Sequence, residues 1–398
     1  MKLFIMIFLY LCICALSLLL LAGLLRRALD PEKNRPLLRA IPTIITGLLL
    51  AFPLVGALLP DGPLCHFFQR WGNVFLGYLL YFFGPLLLIR IGVRLCGLIR
   101  RIAKKPGPVP KRGLSAALLL CLLILSVSLN LFGARKAAEV QVTRYELPRE
   151  TLSQERPLRI VLIADLHIGV NSDIQLMKDM TARVNEQEPD LVLVAGDLLT
   201  SSFSAMRDPA AYAAVLKQIH APEGVFVVYG NHDVDEPLLG GFTYVGPEGA
   251  RRNPGMAAFL EDCGWTLLED ELLTLPERNG LIIAGRRDES RPGDGIPERA
   301  SLAGLLADTD PASPILLLEH EPAELTHLSD YGIDLAVSGH THDGQIFPGN
   351  FVVRLFADQS YGLRRWNDTQ VLVTSGVGFY GPPIRVGTIS EIVVVDLQ

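Results

Sequence analysis

The feature that most constrains the fold of this 398-residue chain is a change of character near residue 136. Up to Lys136 the chain carries 17 Lys and Arg residues and three acidic residues, a balance of +14. From Ala137 onward the balance is −20, with 19 basic and 39 acidic residues. This division predicts two different structural units. The acidic back part also argues against nucleic acid as a partner, because phosphate backbones favour basic surfaces.

The front part contains four apolar runs, each close to the ~20 residues that cross a bilayer. They are Leu3–Leu25, Ala40–Leu59, Val74–Ile99 and Leu114–Phe132. We therefore predict an all-α membrane domain of four transmembrane helices at residues 1–136, with the lipid bilayer as its partner. A cleaved signal peptide at residues 1–25 is the alternative for the first run, although Arg26 and Arg27 are typical of a retained anchor.

The basic residues of the loops predict the orientation of these helices, because basic loops stay in the cytoplasm. The second loop carries only Arg70. The first and third loops carry Arg26, Arg27, Lys33, Arg35, Arg39, Arg100, Arg101, Lys104, Lys105, Lys111 and Arg112. We therefore expect a multi-pass protein of the inner (plasma) membrane, with both termini and the back part on the extracytoplasmic side.

In the back part, apolar β-rich runs alternate with amphipathic segments, which predicts an α/β domain with helices covering the sheets. The predicted strands are Arg159–Ile163, Leu191–Val194, Val225–Val228, Leu281–Ala284, Ile315–Leu318, Leu335–Val337, Val371–Thr374 and Glu391–Val395. The predicted helices are Asp173–Asn185, Ala210–Ile219 and Glu321–Leu328. The polar residues 137–157 are predicted to be a linker, and residues 158–398 to be the catalytic domain.

Five polar groups follow predicted strands, at the strand ends where open α/β sheets place their sites. They contain Asp165 and His167; Asp197; Asn231, His232 and Asp233; His320; and His340 and His342. In an extended backbone, residues i and i+2 point to the same side, so His340 and His342 are expected to project together. Oxygen and imidazole ligands without sulfur suit Mn, Fe or Zn, and are too rich in nitrogen for Ca or Mg.

The order Asp-x-His, Gly-Asp, Gly-Asn-His-Asp, His, Gly-His-Thr-His resembles the calcineurin-like metallophosphoesterase superfamily, from about Arg159 to the end of the chain. Gly339–Gln345, Thr374–Gly378 and Pro383–Arg385 look like its membrane-associated bacterial branch. The resemblance implies a four-layer sandwich of two mixed sheets flanked by helices. It also implies two divalent metal ions. Asp165, His167 and His342 would hold one ion, Asn231, His320 and His340 the other, and Asp197 would bridge them.

The implied reaction is hydrolysis of a phosphate ester by in-line attack of a metal-bound hydroxide. His232 would face the substrate and protonate the leaving oxygen. The sequence departs from the family pattern in two places. Asp343 stands where glycine is frequent, which predicts either a hydrogen bond to a ligand histidine or no effect. Leu198, Leu199 and Thr200 follow Asp197 without the further acid of some relatives, which removes at most one contact behind the ligands.

Two insertions at strand ends are expected to shape substrate specificity. The first runs from Leu239 to Arg252, and the second, Ile346–Trp366, mixes Phe347, Phe351, Leu355, Phe356 and Tyr361 with arginines. Arg251, Arg252 and Arg354 are candidate substrate-binding residues. Apolar residues beside arginines suit a phospholipid or a lipid-linked phosphate. The alternative is that these residues pack locally or rest on lipid headgroups.

Three functions are consistent with the sequence. The favoured one is a membrane-anchored phosphodiesterase or phosphatase that acts outside the cytoplasm. The second is an enzyme like the UDP-2,3-diacylglucosamine pyrophosphatase of lipid A synthesis, whose cytoplasmic substrate conflicts with the predicted orientation. The third is an inactive metal-binding membrane sensor or scaffold. Such a protein has no need of His232, so the intact motif disfavours it.

Overall fold

The computed structural model describes residues 2–29, 36–104, 112–239, 241–244 and 251–398. The chain divides into two compact units, one of residues Met1–Gly133 with Leu238–Tyr244, the other of Ala134–Pro237 with Val245–Gln398. Some residues of the sequence predictions lie outside the described part, namely Lys33, Arg35, Lys105 and Lys111 of the basic loops and residues 240 and 245–250 of the first insertion.

The first unit is built from four long helices. They are α1 (Lys2–Ala28), α2 (Pro36–Leu58), α3 (Pro63–Ile102) and α4 (Arg112–Ala138). All four are long and apolar enough to cross a membrane, as the sequence predicts. Unlike the prediction, the helices extend beyond the apolar runs, most of all in α3, which spans 40 residues.

A small hairpin, predicted to belong to the catalytic domain, is part of the helical unit instead. It consists of β5 (Leu238–Leu239) and β6 (Phe242–Thr243). Gly241 in its turn has a φ of 83°, and a Cβ added there would lie 2.8 Å from the Asn73 side chain of α3. Only glycine combines this backbone conformation with such close approach, so the turn is fitted to the helix.

The second unit contains two six-stranded mixed sheets. The first has the order β1-β14-β2-β3-β4-β7, and the second β12-β13-β11-β10-β9-β8. The strands of the first sheet are β1 (Val140–Leu147), β2 (Leu158–Ile163), β3 (Leu191–Ala195), β4 (Val225–Val228), β7 (Thr266–Leu267) and β14 (Ser390–Leu397). Those of the second are β8 (Glu271–Leu275), β9 (Leu281–Gly285), β10 (Ile315–Leu318), β11 (Leu335–Ser338), β12 (Gly362–Trp366) and β13 (Thr369–Val373).

Alternation along the central strands sorts their side chains into separate cores, because successive strand residues point to opposite faces. Ile160 and Leu162 of β2 join a core shared with residues of the second sheet such as Ile283 and Leu316. Val161 and Ile163 face the other way, into a core with helices α5 (Ile174–Asn185), α6 (Pro209–Leu216) and α7 (Gly255–Cys263). The expected α/β architecture, with mixed sheets and covering helices, is confirmed.

The structure differs from the prediction of a linker at residues 137–157. Residues 140–147 form β1, which pairs in parallel with β14 along its whole length, from Val140↔Ser390 to Leu147↔Leu397. Leu152, in the short 3-10 helix that follows, is fully buried in the core between the sheets. The polar residues of β1 look like a linker because their pairing partner is about 250 residues away in the sequence.

The predicted helix Glu321–Leu328 is not formed. The segment is irregular up to a 3-10 helix at Leu328–Tyr331, and Glu324 has a φ of 53°. Pro322 removes a backbone donor, and the left-handed residue interrupts any helical hydrogen bonding. The apolar spacing that suggested a helix has another cause, since Leu325 and Leu328 are both buried in the core on the outer face of the second sheet. The short helix α8 (Leu302–Leu305) contributes Leu302 to the same core.

Candidate metal centre

Strand ends from both sheets meet at one buried cluster of side chains. Strands β2, β3 and β4 of the first sheet lead to Asp165, His167, Asp197 and Asn231. Strands β10 and β11 of the second sheet lead to His320, His340 and His342. The structure therefore brings together all seven residues that the sequence analysis selected as metal ligands.

Asp165, His167 and His342 form the first group. One ligand atom from each lies within 4.8 Å of the others. The Nε2 atoms of His167 and His342 are only 2.9 Å apart, and their rings stack at 21°. His342 Nε2 is also 3.5 Å from Asp165 Oδ1. Two imidazole nitrogens and a carboxylate oxygen thus converge on one point.

The second group adds residues that follow β3, β4, β10 and β11. Ligand atoms of Asp165, Asp197 and His320 lie within 4.8 Å of one another. Asn231 Oδ1 is 3.1 Å from His320 Nε2 and 2.9 Å from His340 Nδ1. Asp197 Oδ2 is 3.2 Å from His320 Nε2 and 3.6 Å from His167 Nε2, so this carboxylate reaches a histidine of each group.

The backbone at the cluster is not extended, contrary to the expectation from the i, i+2 spacing. His340 and His342 have φ angles of 71° and 49°, and Asp165 and His167 have 55° and 46°. Residues other than glycine rarely adopt this left-handed backbone conformation. Such conformations concentrate at functional sites, where the surrounding structure enforces them. The side chains converge because the chain turns sharply after each strand.

Hydrogen bonds behind the histidines fix which nitrogen faces the cluster. His320 Nδ1 lies 2.8 Å from the carbonyl oxygen of Ala195 and donates to it, which leaves the Nε2 lone pair directed inward. His167 Nδ1 lies 2.7 Å from Thr200 Oγ1. The sequence analysis mentioned Thr200 only because no acid stands in that segment, whereas its hydroxyl holds the His167 ring.

The carboxylate of Asp165 is tightly enclosed. A Cβ added at Gly339 or at Gly376 would lie 2.6 Å from Asp165 Oδ2. This oxygen is buried and has no hydrogen-bond partner among the described residues. Buried polar atoms are nearly always paired, so an unpaired carboxylate oxygen among inward-facing imidazoles fits a site for cations.

Charge at the cluster leads to the same conclusion. Burial raises the pKa of Asp165 to about 7, with His320 opposing the shift, and lowers the pKa of His167 to about 3. Burial also lowers the pKa of His340, to about 4. The pKa of His342 is lowered as well, again mainly by burial, so the imidazoles of His167, His340 and His342 are neutral at pH 7 and can act as ligands. At His320 burial works to lower the pKa, but the Asp197 carboxylate outweighs it and the pKa is raised. A bound cation would take the place of that proton and offset the cost of the buried carboxylates.

His232 lies beside the cluster with its own set of partners. Its backbone N–H donates to Asp197 Oδ1 (2.8 Å), and its Nδ1 lies 3.1 Å from Glu236 Oε2. Glu236 is almost fully buried and also receives a hydrogen bond from Arg291. The Tyr380 ring stacks on the His232 ring with centroids 4.5 Å apart.

The sequence analysis missed Glu236, Arg291 and Tyr380. Glu236 could have been noticed, because it follows His232 by four residues, a spacing that brings side chains together in a helix. Here the segment is a turn rather than a helix, so the spacing alone was a weak signal. Arg291 and Tyr380 come from distant loops, so no spacing indicates them.

Arg385 was missed as a site residue too. It is fully buried, donates to the carbonyl oxygens of Ser375, Gly376 and Gly378, and lies 3.4 Å from His342 Nδ1.

The Asp343 carboxylate makes no hydrogen bond to a ligand histidine among the described residues, but it is not without effect. Its carboxylate receives two hydrogen bonds from Arg354, at 3.1 and 2.6 Å, and one from Ser360 Oγ at 3.1 Å. Its backbone φ is 47°, in the middle of the turn that carries His342. Asp343 therefore ties the metal-centre turn to helix α9 (Gly349–Phe356) and to the loop before β12.

The three candidate substrate-binding arginines have different surroundings. Arg354 is half-exposed and held by Asp343. The Arg252 guanidinium binds Glu269 and Asp294 and lies over the Tyr229 ring, 4.3 Å from its centroid, with only 6% of the side chain exposed. Arg251 is exposed, and its carbonyl oxygen accepts a hydrogen bond from Asp235 N–H.

Comparison with known proteins agrees with this geometry. The family model of the calcineurin-like phosphoesterases matches residues 158–344. A metallophosphoesterase of Campylobacter jejuni, described as uncharacterized, is 32% identical over 70% of this chain and 69% of its own length. A transmembrane protein with metallophosphoesterase domain from Danio rerio is 31% identical over 69% of this chain and 62% of its own length. The chain belongs to the calcineurin-like metallophosphoesterase family.

Two further comparisons complete the picture. An uncharacterized metallophosphoesterase of Helicobacter pylori is 30% identical over 61% of this chain, and the match spans 60% of that protein. Among solved structures, a purple acid phosphatase from yellow lupin seeds is similar over 62% of this chain and 48% of its own, with 14% identity and a TM-score of 0.33.

Proposed function

We propose that this chain is a membrane-anchored, dinuclear-metal-dependent phosphoesterase, with its catalytic unit on the extracytoplasmic side of the inner membrane. The observation that carries the proposal is the convergence of seven oxygen and imidazole ligands from five strand ends on one buried cluster. A structural polar network would satisfy its own members, whereas Asp165 Oδ2 lacks a partner among the described residues.

The residues fit two ions of Mn, Fe or Zn. Asp165, His167 and His342 would hold one ion, Asn231, His320 and His340 would hold the other, and Asp197 would contribute to both. The ions would supply charge stabilisation on the phosphoryl oxygens and a water with a lowered pKa. The neutral Asn231 limits the negative charge of the cluster, which keeps it able to accept a phosphate group.

The chain itself contributes a proton donor. Glu236 Oε2 lies 3.1 Å from His232 Nδ1 and accepts a hydrogen bond from Nδ1–H. Burial works to lower the pKa of His232, but Asp197 and Glu236 outweigh it, so the ring can also carry a proton on Nε2 and donate it to the leaving oxygen of the ester. The stacked Tyr380 ring and the hydrogen bond from His232 N–H to Asp197 hold the imidazole in place. Proton transfer to a poor leaving group typically contributes about 10²–10⁴-fold.

The first experiment assays the purified full-length chain with Mn²⁺ on three substrates. These are bis(p-nitrophenyl) phosphate, p-nitrophenyl phosphate and a UDP-linked lipid. Cleavage of either nitrophenyl ester supports the proposal and separates a diesterase from a monoesterase. Cleavage of the UDP-lipid alone would favour the pyrophosphatase reading. Bound metal without turnover of any substrate would favour the inactive sensor or scaffold.

The second experiment tests the proton donor through the leaving group. His232→Ala should lower kcat for an alkyl phosphate ester by about 10²–10⁴-fold, and lower it far less for the p-nitrophenyl ester, whose leaving group needs no proton. His327→Ala, at a histidine with 68% of its side chain exposed, is the matched control. Equal losses for both esters would show that His232 has another role.

The orientation has its own test. A reporter fused after Gln398 that is active only outside the cytoplasm should be active, and a reporter active only in the cytoplasm should be silent. The reverse pattern would overturn the extracytoplasmic placement and leave the proposed chemistry untouched.

A further inference from the structure

Helix α9 presents apolar side chains to its surroundings right next to the candidate metal centre. Phe351, Val352, Leu355 and Phe356 are all more than half exposed, with Leu355 at 79% and Phe356 at 85%. Their i, i+1, i+4 and i+5 spacing places them on one side of the helix. These four residues are called the α9 face below.

The α9 face is set on a rigid support. On the opposite side of the helix, Asn350 is buried, and a Cβ added at Gly344 would lie 2.5 Å from the Asn350 backbone. Arg354 holds the helix to Asp343 through its two hydrogen bonds. Asp343 directly follows His342, so the face is coupled to a candidate metal ligand through one side-chain pair.

Elsewhere in this unit, exposed large apolar side chains are scattered. Among the described residues of the unit outside the segment 347–356, they are Leu272, Ile296 and Tyr331, each between 36% and 38% exposed. Single exposed apolar residues are ordinary, whereas a contiguous group marks an interaction surface. The α9 face is such a group.

The charge around the α9 face indicates its partner. The segment Ile346–Trp366 contains Arg354, Arg364 and Arg365 and a single acid, Asp358, in a part of the chain whose balance is −20. Arg354 and Arg365 pair with Asp343 and Asp368 just outside the segment, but 52% and 62% of their side chains stay exposed. Arg354 and Arg364 also line a surface cleft of about 300 Å³ together with Ser360 and Tyr361. Apolar side chains flanked by cations are typical of helices that lie in the interface of an anionic bilayer.

The chain connects the unit that carries the α9 face directly to helices that could cross a membrane. Four helices are able to cross a bilayer, and only Glu139 separates the last of them from β1 of the phosphoesterase unit. A unit joined so directly to a candidate span acts within reach of lipids.

We infer that the α9 face inserts into the interfacial layer of the bilayer, and that the adjoining arginines contact anionic headgroups. The metal centre would then act on phosphate esters carried by lipids, an inference that rests on the proposed phosphoesterase function. The insertion itself does not depend on activity.

Insertion is tested with the full-length chain reconstituted in nanodiscs of phosphatidylcholine and phosphatidylglycerol. A fluorescent amino acid replaces Leu355 in one variant and Tyr331 in the matched control, both exposed positions. Brominated lipids should quench the fluorophore at 355 and leave the one at 331 almost unaffected. Equal quenching at the two positions would overturn the inference. That result would include the case where a second copy of the chain covers the α9 face, because neither fluorophore would then meet lipid.

The substrate class is tested with a fluorescent phosphatidylglycerol in the same nanodiscs and with bis(p-nitrophenyl) phosphate in solution. Replacing Phe351, Leu355 and Phe356 together by Ser should slow cleavage of the lipid about tenfold or more, because interfacial contact scales with apolar area. Cleavage of the soluble ester should stay within about twofold. The control replaces Leu272 and Tyr331 by Ser and should change neither rate.

The outcomes separate the two proposals. Equal losses on both substrates, or cleavage of the soluble ester but not of the lipid by the unaltered chain, would overturn the lipid assignment. Quenching at 355 without cleavage of any ester would confirm insertion and contradict the phosphoesterase function instead.

Discussion

The two units of this chain place apolar and polar residues in opposite ways. In the phosphoesterase unit the central strands are buried apolar runs, and exposed apolar residues are few outside α9. In the helical unit many of the largest apolar side chains are exposed, such as Leu19 at 71% and Leu88 at 69%, whereas Asn73, Ser126 and Asn130 are buried. Each unit is consistent with a different solvent, water for the phosphoesterase unit and lipid for the helical unit.

The buried polar groups of the two units also differ in kind. In the helical unit Asn130 Nδ2 donates to the carbonyl oxygen of Ser126, and Ser126 Oγ donates to that of Tyr78 on α3, so both side chains have backbone partners. In the phosphoesterase unit the buried polar groups include ionisable side chains that face one another in the metal-centre cluster. The comparison teaches that burial of polar groups alone does not indicate a site, whereas unsatisfied ionisable groups at strand ends do.

The largest expected effect tests this distinction at Asp197. Asp197→Ala should lower kcat/KM by about 10³-fold and reduce the bound metal, because the carboxylate reaches histidines of both groups and the metal effect is worth several kcal/mol. Metal analysis and steady-state assays on the purified chain measure both quantities. Asp368→Ala, at a carboxylate with 88% of its side chain exposed, is the control. Unchanged metal content would contradict the role of Asp197 as a ligand.

The next effect tests the opposite solvents of the two units. Ile124→Asp on α4 replaces a side chain that is 57% exposed, and Leu272→Asp on β8 replaces one that is 37% exposed. In lipid the first change should cost about 2.5–3.5 kcal/mol of insertion free energy, whereas in water the second should stay within about 0.5 kcal/mol. Membrane-integrated yield measures the first, and the unfolding midpoint the second. Similar small costs would mean that the outer surface of α4 faces water.

A smaller loss is expected for Glu236, which acts through His232. Glu236→Gln should lower kcat about 10–100-fold and leave KM nearly unchanged, because the amide positions the imidazole less well. The loss should be larger for alkyl esters than for p-nitrophenyl esters, a dependence that a purely structural role would not produce. Glu324→Gln, at a glutamate with 46% of its side chain exposed, serves as the control. A rise in KM with kcat unchanged would contradict the assignment.

The smallest effect concerns Asp396 on β14. Burial works to raise the pKa of this carboxyl, but hydrogen bonds from Arg159 and Arg144 outweigh it, and the pKa is lowered. The stabilisation is therefore present above the unfolded-state pKa, near 3.9, and is lost as the pH falls through the folded-state value. Asp396→Asn should cost at most about 1 kcal/mol at pH 7, since both arginines are partly exposed. The difference from the unaltered chain should shrink as the pH is lowered from 7 towards about 2.

Thermal unfolding of the full-length chain at the two pH values measures this difference. Asp368→Asn is the matched control, because its carboxylate is paired with Arg365 and is 88% exposed. A difference that persists at low pH would show that the carboxylate acts through packing rather than through its charge.

Much of the fold was predictable because the central strands are buried on both faces. Such strands have continuous apolar sequences, and Val225–Val228 and Ile315–Leu318 match the prediction residue for residue. The α5 helix was predictable from its apolar spacing, and Asp173 caps it by accepting from Gln175 N–H. Strand β1 was not predictable, because it mixes polar and apolar residues and is held as a strand by pairing with β14, about 250 residues later in the sequence.

The site divides in the same way. The strand-end positions of Asp165, Asp197, Asn231, His320 and His340 could be inferred from the alternating apolar runs, and their roles as ligands remain predictions. The turns that aim them could not be inferred, because His167 and His342 adopt left-handed conformations that only the packed structure enforces. Arg385 and Tyr380 reach the site only through the loop that folds back between β13 and β14.

Strand β14 has a consequence for the order in which the protein can be made. It lies between β1 and β2 in the first sheet, parallel to one and antiparallel to the other. The sheet therefore stays open, with two unpaired strand edges, until residues 390–397 have been synthesised. Pairing over such long sequence separations is slow. A nascent chain would thus expose a ready acceptor for a foreign strand through most of its synthesis, and a ribosome that stalls before Ser390 would leave that gap unfilled.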